Sequence, residues 1–419
     1  MTETDVVVVG AGAAGIAAAR VLRERRIAHV VIEAAGRIGG RAFTTTGPET
    51  SGHWFDHGAT WLHQAERNPV AHLARKAGAG LIEADRHRRW LLRVGDREAS
   101  AAEVEGFRAA RARFEATVRP RAALDPDIAF AEAMDGMRDD PWAATIEVWE
   151  AAQIAAADPA RFSLRDWLVN DLDGSNLLLE GGIGAFLAGA LAEGVGPLEL
   201  ETPAHHIDWG GPIRVTTPRG TISARAAIVT VSTGVLARMG FSPALPAAHQ
   251  AAIANLPMGL LTKLAFPALG EDRLGLADTT SVRRQSQPGR PAMGVMAWPY
   301  GAPYMQSFIG GPLAWELAAA GPAATEAFAW EEIRAALGSA ALAAIGPALV
   351  TDWATNPHHV GSYAFATPGH HGARGVLGTS LADGRLWFAG EATRTDGLAG
   401  TIGGAWLAGT EAGWAVRLG

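Results

Sequence analysis

The chain has 419 residues, 48% of them hydrophobic and 19% charged, with a formal net charge of −7 and no cysteine. That length supports two or three domains around a large core, and the composition excludes a disordered chain. An acidic balance without a basic tail argues against nucleic acid as a partner, and the missing thiols exclude disulfides, thiolate metal sites and any cysteinyl link to a bound group.

The chain opens with Asp5-Val-Val-Val-Val-Gly10-Ala-Gly12-Ala13-Ala14-Gly15. Four consecutive valines read as a strand buried on both faces, as in a parallel sheet. The glycines follow the G-x-G-x-x-G spacing, and the Ala/Ile-rich run to Arg26 reads as a helix. Gly10 permits the tight turn, Gly12 lets backbone approach a pyrophosphate, and Gly15 lets helix and strand pack closely. The helix N-terminus offers free N–H groups and a positive dipole end to phosphates. A second strand, His29-Val-Val-Ile, ends in Glu33-Ala34; Glu33 follows Gly15 by 18 residues, where a carboxylate accepts hydrogen bonds from a ribose. These elements point to a dinucleotide, either NAD or FAD.

Gly36-Arg37-Ile-Gly39-Gly40-Arg41 comes next. Its glycines let the loop lie against a ligand, and its arginines can meet phosphate oxygens. With this loop the N-terminus resembles the FAD-binding half of the flavin amine oxidase superfamily. The segment Gly58-Ala59-Thr60-Trp61-Leu62-His63, followed by Asn68-Pro69, resembles that of the spermine and polyamine oxidases. The resemblance implies that Gly58, Ala59, Thr60 and Trp61 lie near the flavin and that His63 lines the substrate tunnel.

Residues 78–177 differ in character. Arg86–Trp90 and Gly95-Asp96 suggest a hairpin, and Ala/Glu/Arg stretches at 101–117, 127–135 and 141–157 have helical periodicity. Ser163-Leu-Arg-Asp166 is a helix-start pattern, an N-cap residue with an acid three positions on. Trp142, Trp149 and Trp167 read as core of an inserted helical region that covers a site. A helix over 183–193 leads to β-rich sequence at 198–209, 213–217 and 221–231, of which Ala227–Val231 reads as another buried strand. The family usually has a proline after that strand, where this chain has Ser232-Thr233-Gly234.

In a second excursion, 253–355, Lys263 lies inside the apolar stretch Met258–Phe266. Burying a lone ammonium costs several kcal/mol, so it loses its proton more readily or finds partners. The resemblance makes Lys263 the family's flavin-facing lysine and Trp353 the tryptophan opposite it. Ser362 stands where mitochondrial monoamine oxidases carry a flavin-linked cysteine, and Tyr363 stands in one wall of the amine-guiding aromatic cage. At the far end, Gly390-Glu391 and Gly400-Thr401-Ile402-Gly403-Gly404-Ala405 resemble the C-terminal FAD motif. Glu391 is then expected at the ribityl or phosphate region, and the N-terminus of the last helix at the flavin pyrimidine.

The expected fold is α/β: a discontinuous Rossmann-like FAD-binding domain (1–77, 178–252 and 356–419) with an α+β substrate domain (78–177 and 253–355). The expected function is FAD-dependent oxidation of a primary or secondary amine, polyamine or monoamine, to an imine, with dioxygen reduced to hydrogen peroxide. FAD is expected to be non-covalent, since position 362 is serine. Lys263, Tyr363, Trp353 and His63 carry the catalytic expectation. Thr401 matches polyamine oxidases rather than monoamine oxidases, whereas Gly403 replaces the histidine that polyamine oxidases place there. Amino-acid oxidases typically have a carboxylate-clamping arginine where this chain has Trp61, which favours an amine without an α-carboxylate. The alternatives are an L-amino-acid oxidase or another flavin oxidoreductase or dehydrogenase of this fold; GDP dissociation inhibitors, non-catalytic relatives in fold, lack the intact FAD motifs. Met1-Thr-Glu-Thr-Asp shows no signal-peptide pattern, and no apolar run approaches 18 residues. A cytoplasmic monomer or homodimer acting on a small amine and dioxygen, without membrane or nucleic-acid partners or a metal, is the expectation.

Overall fold

The computed structural model describes residues 2–419. Its first sheet is built on β1 (Thr2–Val9), which turns through Gly10 into helix α1 (Ala13–Glu24) and returns as β2 (His29–Ile32). β1 pairs in parallel with β2 on one side and with β3 (Gly220–Val229) on the other. The valine run behaves as a doubly buried strand should: Val6, Val7 and Val8 are fully buried and Val9 is 3% exposed. β3 is shared along its length. Its first half pairs antiparallel with Ile213–Thr217, and its second half pairs in parallel with Leu386–Phe388. The last strand of the chain thereby joins the sheet next to β3, one strand away from the first.

α1 packs on one face of this sheet against the final helix, α2 (Ile402–Ala415). The approach is closer than side chains allow, because a Cβ on Gly409 would stand 1.9 Å from the Ala14 carbonyl oxygen. The other face is covered by apolar residues of 245–258 and 364–377.

The second sheet contains β4 (Leu261–Pro267), β5 (Thr280–Arg284), β6 (Gly294–Ala297) and β7 (Tyr304–Gly310). β4 pairs with β7, β7 with β6, and β6 with β5, all antiparallel. The Arg89–Val94 strand extends this sheet by pairing in parallel with β5, and it forms the expected hairpin with Arg97–Glu98. The two sequence excursions therefore meet in one sheet, which local sequence patterns did not reveal.

The helical region packs on its own core of Phe114, Phe130, Trp142, Trp167 and neighbours. Ser100 and Glu103 close a full capping box on Ala101–Thr117. Ser163 caps Leu164–Val169 as expected, but Asp166 does not complete a box there. Its carboxylate turns instead to Arg374, at 2.7 and 2.8 Å, and to the Ala366 amide. Trp149 also departs from the core reading, since its ring lies against Arg283 rather than in that cluster. The Ser232 departure has a local reason: its hydroxyl caps Thr233–Leu236 and donates to the His359 carbonyl at 2.7 Å. No helix among the described residues is long and apolar enough to cross a membrane.

Candidate active site

The turn after β1 forms one end of a single large cavity of about 680 Å³. Gly10 has φ +104°, and a Cβ there would meet the Thr230 hydroxyl at 2.6 Å. A Cβ on Gly15 would lie 1.8 Å from the Gly10 carbonyl oxygen, so this helix start can sit under the turn only as glycine. The N-cap of α1, Gly12, has no side chain to satisfy the first N–H groups, which leaves them for an anion. Glu33 is buried beside them. Its two carboxylate oxygens accept from the Ala11 amide at 2.7 Å and the Ala35 amide at 2.9 Å, which fixes the acid at the cradle edge.

The glycine loop runs alongside this turn. The Gly39 amide donates to the Ala11 carbonyl, and Gly40 faces the Gly12 Cα. Arg41 reaches the cavity and donates to the Ser362 carbonyl at 2.7 Å and to Glu391 at 2.9 Å. Arg37 and Gly36 do not line it. The Arg37 guanidinium folds back over the Phe43 ring, 3.9 Å from its centroid, and donates to the Gly40 carbonyl, so it braces the loop rather than meeting a ligand. Gly15 likewise lies beneath the cradle and not on its surface.

At the other end of the cavity stand Gly58, Ala59, Thr60, Trp61, His63, Lys263, Trp353 and Tyr363. Lys263 is 3% exposed on β4. Its ammonium donates to the Gly58 carbonyl at 2.5 Å, to the Asp56 carbonyl at 3.2 Å and to the Thr60 hydroxyl, and lies 5.4 Å from the Trp61 ring centroid. Burial pulls its pKa down to about 8, against the opposing charge of Asp56. The Asp56 carboxyl is raised by its own burial and accepts from the Ile183 and Gly184 amides at a helix start and from Thr44. The Gly58–Thr60 turn is therefore held between Lys263 and that helix.

Trp353 is fixed by its indole N–H, which donates to the His57 carbonyl at 3.1 Å. A Cβ on Gly58 would press 3.2 Å from the Trp353 ring and 1.8 Å from the Arg41 carbonyl oxygen. His63 shares a 2.6 Å hydrogen bond with the Asn176 side chain, and burial lowers its pKa, so the ring is neutral at pH 7. The Tyr363 hydroxyl donates to the Ile154 carbonyl at 2.8 Å, and burial raises its pKa. Ser362 is not a free hydroxyl. It accepts from the Leu261 amide at 2.9 Å and donates to the Leu261 carbonyl at 3.2 Å.

The two ends are joined by the C-terminal motif. Glu391 is buried and accepts from Arg41, the Ala364 amide and the Gly400 amide. Thr401 caps α2, accepting from the Gly404 amide at 3.0 Å. Gly390, Thr401, Ile402 and Ala405 face the cavity with Ala13, Ala14, Ala34, Gly10, Gly12 and Gly40. The sequence reading missed His359, Glu150, Gln153 and Ile154, which also line it. His359 is buried with its Nε2 unpartnered, and burial lowers its pKa to about 3, so a neutral ring offers that nitrogen to a ligand. Glu150, Gln153 and Ile154 sit on a π-type turn, Val148–Ile154, for which sequence carries no signal. An uncapped phosphate cradle, a ribose-side acid and an orphaned buried nitrogen along one long cavity fit an extended dinucleotide such as FAD.

The family described as "Flavin containing amine oxidoreductase" matches residues 13–417. The chain belongs to this family. Among curated relatives, lysine-specific histone demethylase 1 homolog 2 of Arabidopsis thaliana is 27% identical over 435 residues, covering 97% of this chain and 58% of that protein. Polyamine oxidase 3 of Oryza sativa subsp. japonica is 27% identical over 463 residues, covering 99% of this chain and 89% of that one. The chain spans about half the length of several demethylase homologues it matches, 53% in the case of homolog 3 of the same rice. Putrescine oxidase, solved as wild type bound to putrescine, has the same fold, with a TM-score of 0.80, 19% identity and 98% coverage of both chains. The mixed α/β architecture expected for a flavin amine oxidase is thus the one observed.

Proposed function

We propose that the chain is an FAD-dependent amine oxidase. It takes a primary or secondary amine without an α-carboxylate to the imine and passes the two electrons and two protons to dioxygen, giving hydrogen peroxide. The observation that carries this reading is the single cavity that joins the phosphate cradle to the buried Lys263 and its Trp61, Trp353 and Tyr363 surroundings. When bound, the flavin supplies the redox chemistry, and the protein supplies position, dryness and charge.

In this reading the free N–H groups of α1 hold the pyrophosphate and Glu33 holds the adenosine ribose. Arg41 and Glu391 fix the middle of the cofactor, and the α2 N-terminus faces its pyrimidine end, where a helix dipole favours negative charge by about 0.3–1 kcal/mol. Residues 1–77, 178–252 and 356–419 then serve the cofactor, and 78–177 and 253–355 serve the substrate. Trp61 and Tyr363 present ring faces to the amine, while neutral His63 lines its path and can accept a proton from it. Lys263 holds and exchanges protons where dioxygen is reduced.

The cofactor is held without a covalent bond, because no cysteine exists and Ser362 is engaged on both sides by Leu261. Heat or acid precipitation is expected to leave all yellow colour in the supernatant; colour retained on the pellet refutes this. The aromatic wall is tested by Tyr363→Ala. Loss of a cation–π face is expected to lower kcat/KM by about tenfold to thirtyfold, the equivalent of about 1.4–2 kcal/mol, with FAD content unchanged. An unchanged kcat/KM dismisses that role. Peroxide release across amines and common L-amino acids tests the reading as a whole, and a larger kcat/KM for an L-amino acid than for any amine overturns it.

A further inference from the structure

His63 lines the cavity, and the residues behind it decide which of its two ring nitrogens carries the proton. The antiparallel bridge between Leu62 and Leu177, closed by backbone bonds of 2.7 and 3.3 Å, sets His63 beside Asn176. The His63 Nδ1 lies 2.6 Å from the Asn176 Oδ1. Asn176 is held in turn by Asp85. Its Nδ2 donates to the two Asp85 carboxylate oxygens at 3.2 and 3.3 Å, and its backbone amide donates to one of them at 3.0 Å. The Asn176 carbonyl accepts from the Ala84 amide at 2.9 Å, and Leu81–Glu83 pairs with Leu177–Leu179. Both backbones are therefore locked where these side chains meet.

This order leaves one arrangement of protons. A carboxylate only accepts, so the amide NH2 of Asn176 faces Asp85. The amide oxygen then faces His63 and also only accepts, so Nδ1 is the donor. Burial lowers the His63 pKa, which keeps the ring neutral at pH 7 with one proton to place. With that proton on Nδ1, Nε2 is a bare lone pair. Asn176 does not line the cavity and His63 does, so the ring meets the cavity with the edge that carries Nε2. The Trp61 ring stacks on the imidazole, with 6.2 Å between centroids and 30° between planes. Among charged groups, Arg88 and Lys263 oppose a second proton on the ring, and Asp85 favours it.

We infer that Asp85 and Asn176 are positioning residues that hold His63 as the Nδ1–H tautomer, so that Nε2 takes a proton from the substrate's ammonium before its oxidation. The transfer breaks one N–H bond of the ammonium, forms Nε2–H, and moves one positive charge onto the ring. It leaves the amine with the nitrogen lone pair that its oxidation requires. The proton's source rests on the amine-oxidising reading above; the tautomer does not.

The test uses FAD-loaded protein labelled with 15N-histidine, and the His63 signals are assigned by their loss in His63→Gln. At pH 7 the wild type is expected to show a protonated Nδ1 and a bare Nε2. Asn176→Leu removes the acceptor and should shift the ring toward the Nε2–H form, whereas Asn176→Asp keeps an acceptor and should keep Nδ1–H. Anaerobic flavin reduction is then followed with octylamine, benzylamine and putrescine. At pH 7, Asn176→Leu should be slower than wild type by about tenfold or more, the scale of a misplaced general base. That deficit should close as the pH approaches about 10, where alkylamines begin to deprotonate in solution and need no base. In Asn176→Asp the acid limb should move to higher pH, because a carboxylate beside the ring favours its protonated form. Nδ1–H in the wild type, lost in Asn176→Leu, with no amine reducing the flavin would support the positioning pair and refute the amine-oxidase reading. An Nε2–H ring in the wild type, a tautomer indifferent to Asn176, or a deficit in Asn176→Leu that is the same at pH 7 and pH 10 would overturn the inference.

Discussion

Replacing Lys263 by methionine is expected to slow the oxidative half-reaction about 10²-fold or more while changing anaerobic reduction by the amine far less. The substitution keeps the length and apolar stem of the side chain, so the packing of β4 is preserved, but removes three donors. What is lost is a buried ammonium that donates to the Gly58 and Asp56 carbonyls and to the Thr60 hydroxyl. A positioned charge or proton donor stabilises negative charge that develops as dioxygen is reduced, and single groups of this kind contribute about 10²–10³-fold. The pH dependence has a definite sign. With its pKa brought down to about 8, Lys263 is mainly protonated at pH 7. The wild-type oxidative rate should therefore fall as pH rises through about 8, and that limb should vanish in the methionine variant. Stability moves the other way. Between about 8 and the ordinary lysine pKa near 10.4, the unfolded chain binds the proton more readily than the folded one, so this residue's contribution rises with pH. Stopped-flow measurement of both half-reactions decides the matter. A wild-type oxidative rate in the variant would make Lys263 a structural residue.

The largest stability loss is expected from Asp166→Ala. Arg374 is 3% exposed, and its charge is matched by two hydrogen bonds to Asp166. The same carboxylate accepts from the Ala366 amide and the Asn170 side chain, so it ties the helical region to the segment leading into the C-terminal motif. Removing one partner of a buried pair leaves the other charge uncompensated, at about 3–5 kcal/mol. The exposed pair Arg225–Asp5 is the internal comparison. Arg225→Gln should cost about 0–1 kcal/mol. Thermal midpoints of the two variants, measured with FAD in excess, should differ by several degrees. Equal midpoints would show that Arg374 finds water or another acceptor.

Much of this was legible in the sequence, for physical reasons that can be named. The valine run and its glycines specify a buried strand, a tight turn and a helix start locally, with little help from the rest of the chain. Lys263 was visible because a charge inside an apolar strand needs a reason. The Ser100 box and the Ser163 cap were visible because capping is a short-range interaction. What the sequence hid is long-range. Nothing local says that Arg89–Val94 joins the sheet of a segment nearly two hundred residues later, so Arg283 and Trp149 could not be seen to meet. Asp166 looked like a helix-start acid, and only the fold brings Arg374 to it. Arg37 looked like a phosphate ligand because arginines in glycine loops often are; the nearby Phe43 ring takes it instead. His359 lay in a loop with no periodicity to mark it.

The most direct test of the central claim is an anaerobic spectral titration. Purified protein, loaded with FAD and freed of excess, should show an oxidised-flavin spectrum that bleaches on addition of an amine without an α-carboxylate. Readmission of air should restore the colour and release one hydrogen peroxide for each amine consumed. A protein that retains no FAD, or whose bound flavin is bleached by no amine, would contradict the reading of this cavity as an amine-oxidising site.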